Sequence, residues 1–314
     1  MSLYLLSSDC LNKIKDNIHD IPLVLFLDYD GTLAPFKEDP GQAVPFSGIK
    51  DILRELRQVN DIYINIITGR TLDSLNELID IAGINYIGTH GLEIRISDKY
   101  KKSTDHSIIY PVEDLYSEVD LPESNPSSLI NTEKNKNQEN HMPESMKKVM
   151  DKICSYFEYL KNKQTGIKYE NKKYILTLHY PSSFRVDKIV NYLENLIHDN
   201  KLEILKGRNV IEVRPRGWHK GRAANYILEK VLDKKLEKKS ESEKEVNGNN
   251  YLTIYIGDDT TDEDAFRELS GLNIYVKNDG ELETEADYYL NNPADVLDFL
   301  EVIRDIKKSS PNRP

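Results

Sequence analysis

Cysteine is nearly missing from this chain. Cys10 and Cys154 are its two thiols, too few for a disulfide scaffold in a chain of 314 residues, and a reducing compartment is expected. Positive charge is in deficit as well: 42 lysines and arginines stand against 53 aspartates and glutamates, a formal net charge of −11. A general nucleic-acid binder would carry a basic field, and this balance argues against one. An anionic small molecule stays open, because one pocket can be basic on an acidic surface. No run approaches the roughly 18 apolar residues of a membrane span. The start, MSLYLLSSDCLNKIKD, has no basic lead into a long apolar stretch, so no signal peptide is read there. The expectation is a cytoplasmic protein with neither nucleic acid nor membrane as partner; composition says nothing of oligomeric state.

What the chain does have is buried strands. PLVLFLD (22–28), IYINIIT (62–68) and LTIYIG (252–257) are apolar without strict alternation, as when helices cover both faces of a parallel sheet. NYIG (85–88) and NIYV (273–276) are shorter candidates. Helical patterns at 46–59, 71–82, 217–232, 262–270 and 294–307 lie between and after them. This alternation predicts a doubly wound α/β core. The middle differs. A helix at 146–162, a hairpin turning near Asn171, a helix at 185–199 and a hairpin turning at Gly207 make an αββαββ pattern. In its last strand Ile211 and Val213 point to one face, and Val210, Glu212 and Arg214 to the other. Residues 103–145 and 233–250 are polar and rich in Ser, Asn, Glu or Lys, which predicts disordered insertions.

Four short stretches carry chemistry. FLDYDGTLAP (26–35) ends the first strand with Asp28 and Asp30, at the carboxyl end where open α/β sheets bind ligands. Gly31 lets the backbone turn sharply, and the Thr32 hydroxyl can tie that turn. ITGR (67–70) places Thr68 where it can cap the next helix or bind an anion. RGWHKGRAA (216–224) puts Lys220 in the first turn of a helix. A cation is unfavourable at that positive end unless an anion meets it. YIGDDTTDEDAF (255–266) offers Asp258, Asp259 and Asp262, whose mutual repulsion calls for a cation. Ligands that are all oxygen, with no His or Cys cluster, favour Mg²⁺. A carboxylate, a hydroxyl, a lysine and an acidic metal site in chain order form the equipment for phosphoryl transfer through an aspartyl-phosphate.

These stretches, with THGLEIR (89–95), EVRPRGWHKG (212–221) and GDDTTDEDAF (257–266), resemble the haloacid dehalogenase superfamily. Within it they are similar to the trehalose-6-phosphate phosphatases, over roughly 22–97 and 146–300. The resemblance implies a Rossmann-like catalytic core at 1–97 and 216–314, with an αββαββ cap inserted at 98–215. It implies that Asp28 is the nucleophile and Asp30 the acid and base. Thr68 and Lys220 would hold the phosphoryl oxygens. Asp28, the Asp30 carbonyl and Asp258 would bind Mg²⁺, with Asp259 and Asp262 in support. Gly69, Arg70 and His90 are counted as substrate-binding. In the cap, Glu170, Lys172, His179, Lys206 and Glu212 are the expected sugar contacts, although Glu170 and Lys172 also read as hairpin-surface charges and His179 as an interior group. The chain departs from the family at His179-Tyr180-Pro181, where members commonly read His-Tyr-Arg; Arg185 is the nearby substitute. Trehalose 6-phosphate is the expected substrate. Sucrose phosphate, mannosylphosphoglycerate and phosphomutase chemistry are the alternatives.

Overall fold

The computed structural model describes residues 2–37, 40–97, 108–109, 142–198, 201–207, 209–232, 250–278, 280 and 283–309. In chain order these form β1 (Leu3–Tyr4), α1 (Ser8–Ile18), β2 (Leu23–Leu27), α2 (Ile49–Leu56), β3 (Ile62–Ile67), α3 (Leu72–Leu78), β4 (Asn85–Gly88), β5 (Glu93–Arg95) and β6 (Ile108–Ile109). Then come α4 (Glu144–Lys163), β7 (Lys168–Asn171), β8 (Leu176–His179), α5 (Asp187–Ile197), β9 (Leu202–Gly207) and β10 (Val210–Pro215). The chain finishes with α6 (Lys220–Tyr226), which runs on as a π-helical turn over Ile227–Leu232, then β11 (Leu252–Gly257), α7 (Thr260–Glu268), β12 (Leu272–Val276), β13 (Tyr288–Leu290) and α8 (Pro293–Ser309).

The chain forms two compact units, Met1–Ile109 with His219–Pro314, and Tyr110–Trp218. The sequence places these boundaries at 97/98 and 215/216. The first moves because β6 pairs antiparallel with β5. The second moves because the Arg216 amide donates to the Lys201 carbonyl at 2.8 Å and its guanidinium to the Leu202 carbonyl at 3.2 Å. Of the two polar insertions, Ile108–Ile109 form a strand and α4 starts at Glu144; 110–141 and 233–249 lie outside the described residues.

Unit 1 is built on a sheet ordered β1-β13-β12-β11-β2-β3-β4-β5-β6 among the described residues. It is parallel from β1 to β4 and antiparallel through β5 and β6. Every residue of β2, β3 and β11 is buried, which is why these strands read as continuous apolar runs. On one face Leu23, Leu25, Leu27, Ile62, Ile64, Ile66, Ile254 and Ile256 share a core with Ile14, Ile52, Phe299 and Ile303 from the helices. On the other, Tyr255 stacks with Phe26 at 6.3 Å and meets Phe266 of α7 edge-on at 5.6 Å. Helix α1 was not expected from the sequence. Its signals were present but short: Ser7 caps it by accepting from the Cys10 amide, and Cys10, Ile14 and Ile18 turn inward at a spacing of four.

Unit 2 is an antiparallel sheet ordered β7-β8-β10-β9. Leu176, Leu178, Ile211 and Val213 pack with Ile153 and Phe157 of α4 and Val190 and Leu193 of α5. The first hairpin turns at Asn171, whose side chain accepts from the Lys173 amide at 2.9 Å. Lys173 adopts φ 69° to close it.

Candidate active site

The strand order places β3, β2 and β11 side by side and parallel. Thr68, Asp28 and Asp258 each follow the carboxyl end of one of these strands. Three motifs far apart in the chain therefore end at one edge, with strand spacings of about 5 Å.

Lys220 is the centre of the arrangement. It opens α6 and is 3% exposed. Its Nζ donates to Asp28 Oδ1 at 2.7 Å and to Asp262 Oδ1 at 2.8 Å. The anion anticipated from its misplacement at a helix start is thus a pair of carboxylates. Asp262 is in turn saturated: its Oδ1 also accepts from the Tyr255 hydroxyl at 2.6 Å, and its Oδ2 from the Asp259 amide at 3.1 Å. Asp259 is exposed and caps α7, accepting from the Thr260 amide at 2.6 Å in a capping box with Asp262. The structure does not bring Asp259 into the acidic cluster. That cluster is Asp28, Asp258 and Asp262, with one oxygen of each within 4.8 Å of the others.

Three carboxylates thus crowd together, and one ammonium bonds two of them. Burial pushes Asp28 up against the pull of Lys220, and the charges of Asp262 and Asp258 add to the rise. Burial, then Asp262, pushes Asp258 up to about 7. Burial alone would lower Lys220, but Asp262 and Asp28 outweigh it and hold its ammonium above the ordinary range. The site is short of positive charge, and hard oxygens are its only acidic donors. A small divalent cation such as Mg²⁺ fits that deficit. A sign follows for stability. With its folded pKa raised from 3.8 to about 7, Asp258 binds a proton on folding. The stability from that proton is present in full below pH 4 and is lost as pH climbs through about 7. A cation favours the ionised form instead. The rise in melting temperature on adding MgCl₂ should therefore be larger at pH 8 than at pH 5.5, and thermal unfolding at both pH values checks it. An equal rise would remove Asp258 from the cation site.

The Asp28–Asp30 loop turns on Gly31, at φ 77°. A Cβ there would lie 1.8 Å from Asp258 Oδ2, so only glycine admits the acid. The turn is tied by backbone: the Leu33 and Ala34 amides both donate to the Tyr29 carbonyl at 2.9 Å. The expected hydroxyl tie is absent, since Thr32 Oγ1 is buried with no hydrogen-bond partner.

Asp30 accepts from Arg70 through both oxygens, at 2.6 Å each. The guanidinium also lies 5.4 Å above the Tyr29 ring. Arg70, expected to bind substrate, is paired with Asp30, the expected acid and base. Thr68 does not cap the following helix; Thr71 does, accepting from the Ser74 amide. The Thr68 hydroxyl accepts from the Arg70 amide at 3.2 Å, and its carbonyl from the His90 amide at 2.9 Å. His90 sits at φ 54°, with its ring so close to Gly69 that a Cβ there would lie 2.7 Å from it. Thr68, Gly69 and His90 are therefore neighbours. Glu93 supports this corner by accepting from the Leu72 amide at 3.1 Å and the Thr89 hydroxyl at 3.2 Å.

In unit 2, Glu170 opposes Thr177, and Thr177 opposes Glu212, so both acids share the face turned away from the helices. Glu170 lies 3.3 Å from Lys172 and 3.5 Å from His179. The His179 contact, then burial acting the other way, then Lys172 set the Glu170 carboxyl, which is lowered to about 2. His179 is exposed, not interior. Burial pushes Glu212 up, against Lys172 and Arg214. Lys206 does not join them. It opposes Ile211 and so lies on the helix-bearing face.

Tyr255 and Asn278 carry no functional signal in the sequence. Tyr255 is hidden in an apolar strand, where an aromatic reads as core. Asn278 follows β12 by two residues in no recognisable pattern, yet its side-chain amide donates to the Gly31 carbonyl at 3.0 Å and to Asp258 Oδ2 at 3.3 Å.

Residues 26–294 match the family model for trehalose-phosphatase. Relatives include trehalose-phosphate phosphatase B of Arabidopsis thaliana, 26% identical, covering 92% of this chain and 68% of that protein. Another, from the same plant and described as "Probable trehalose-phosphate phosphatase I", is 28% identical over 92% of this chain and 69% of its own length. Among solved structures, the Candida albicans trehalose-6-phosphate phosphatase C-terminal domain superposes with TM-score 0.64 at 21% identity, covering 98% of this chain and 99% of that one. The Aspergillus fumigatus trehalose-6-phosphate phosphatase gives 0.60 at 22%, covering 97% and 99%. A haloacid dehalogenase-like hydrolase from B. subtilis shares the fold at TM-score 0.54 and 13% identity, covering 88% of this chain and 98% of that one.

Proposed function

Because the chain belongs to the trehalose-phosphatase family, we propose that it hydrolyses trehalose 6-phosphate to trehalose and phosphate by way of an aspartyl-phosphate on Asp28. The supporting observation is the buried Lys220, whose ammonium joins Asp28 to Asp262. It holds Asp28 by Oδ1 and leaves Oδ2 for attack on phosphorus. As the new Oδ2–P bond forms, the bond from phosphorus to the sugar oxygen breaks, and Asp30 gives that oxygen a proton. Asp30 then takes a proton from the water that attacks phosphorus, which frees phosphate and restores Asp28. Asp30 must loosen at least one of its bonds to Arg70 to reach the sugar oxygen. The Thr68 hydroxyl and Lys220 meet the phosphoryl oxygens, beside Gly69 and His90.

Asp28, Asp258 and the Asp30 carbonyl would hold Mg²⁺, with Asp262 in support through Lys220. Bound there, Mg²⁺ supplies neutralising charge to the phosphoryl group. Monoester hydrolysis is among the slowest uncatalysed reactions, so positioned positive charge is central to the rate. Phosphate release from a panel of sugar phosphates, with and without Mg²⁺, tests the reading. Trehalose 6-phosphate should lead, and activity should vanish with chelator. Preference for sucrose 6-phosphate, or return of an isomerised sugar phosphate, would overturn it.

Glu170, Lys172, His179 and Glu212 are proposed as sugar contacts. Hydrogen bonds from sugar hydroxyls to a charged group contribute roughly 1.5–3 kcal/mol each, about ten- to a hundred-fold in rate constant. Glu212→Ala should lower kcat/KM for trehalose 6-phosphate by about that factor. It should leave p-nitrophenyl phosphate hydrolysis nearly unchanged, because the catalytic groups all belong to unit 1. Equal losses on the two substrates would withdraw Glu212 as a sugar contact.

A further inference from the structure

We propose that Asn278 is a positioning residue for the cation site, acting through Asp258. The inference rests on the reading of Asp258 as a Mg²⁺ ligand. Two constraints fix the Asp258 carboxylate. It lies against Gly31, so closely that no Cβ fits between them. The Asn278 side-chain amide also donates to its Oδ2 at 3.3 Å. The same nitrogen donates to the Gly31 carbonyl at 3.0 Å. One amide thus ties the loop that carries Asp28 and Asp30 to the acid at the end of β11. The tie reaches across 247 positions in the chain.

Its backbone is built for the task. Asn278 adopts φ 48°, a left-handed conformation that asparagine tolerates better than most residues with a side chain. It stands two residues beyond β12, which pairs with β11, so the amide comes from the neighbouring strand end. Groups that orient a metal-binding carboxylate typically change metal affinity by 10- to 100-fold when removed. Asn278 need not touch the metal to have this effect. It holds Asp258 and the nucleophile loop at a constant separation, so the cation meets its ligands already placed.

The left-handed backbone decides the test. Asn278→Gly keeps that conformation and removes the amide alone. Asn278→Asp keeps backbone and size but turns a donor toward Asp258 into a carboxylate. MgCl₂ is titrated into each metal-free protein without substrate and followed by calorimetry, with Asp258→Asn as reference. Asn278→Gly should raise the Mg²⁺ Kd about tenfold, and Asn278→Asp should raise it further. In turnover, Asn278→Gly should recover most of its kcat at high Mg²⁺, with the sugar-phosphate KM little changed. Wild-type Mg²⁺ affinity in Asn278→Gly, with binding lost in Asp258→Asn, would overturn the role of Asn278 alone. Wild-type affinity in Asp258→Asn would overturn the metal site as well. A kcat loss in Asn278→Gly that high Mg²⁺ does not recover would place the effect of Asn278 elsewhere.

Discussion

An Asp28→Asn protein is expected to release phosphate about 10⁶-fold more slowly than the parent, the scale on which nucleophile removal is felt, and to melt no lower. An amide cannot form the acyl-phosphate, so turnover is lost at its first bond. Stability should move the other way. Burial disfavours ionised Asp28, and Asp262 and Asp258 add their repulsion. An amide of the same shape removes one of three crowded charges, while Lys220 keeps Asp262 at 2.8 Å. Steady-state kinetics and thermal unfolding in metal-free buffer check the two halves. Substantial residual turnover would sink the nucleophile assignment. A melting temperature several degrees lower would sink the account of the crowded carboxylates.

Lys220→Met should fail on both counts. The change leaves Asp28 and Asp262 buried without their shared cation, a loss of about 3–5 kcal/mol for breaking a buried ion pair. At roughly 2–4 °C per kcal/mol for a chain of this size, the melting temperature should fall on the order of 10 °C. Turnover should fall by about 10²–10³-fold or more, as for loss of a group aimed at developing charge. Excess Mg²⁺ should recover part of the stability, because a cation can neutralise the remaining acids. It should not recover the rate, because nothing then holds Asp28 Oδ1. A stable variant would mean that the buried acids are met in another way, and an active one would remove Lys220 from the phosphoryl site.

The sequence alone determined the central strands and named most of the candidate site residues. Buried parallel strands are apolar throughout, so 22–28, 62–68 and 252–257 could be read from local composition, and β2, β3 and β11 stand where expected. Asp28, Thr68, Lys220 and Asp258 could be read because each sits at a strand or helix end, a position that is itself a local signal. Tertiary structure decided the partners. Arg70 closes on Asp30 across 40 positions, and Lys220 on Asp28 across 192. Asp259 is a cap and Asp262 the anchor of Lys220, although the two look alike in the motif. Lys206 falls on the helix-bearing face, in step with Leu202 and Ile204, because its register sets it opposite Ile211. The Tyr255 hydroxyl meets the acidic cluster only because α7 brings Asp262 over its strand. The physical reason is one of range. Hydrophobic period and turn chemistry act over a few residues and are written in the chain, whereas which charge meets which depends on strand order and helix placement, and these are settled only when the whole core packs.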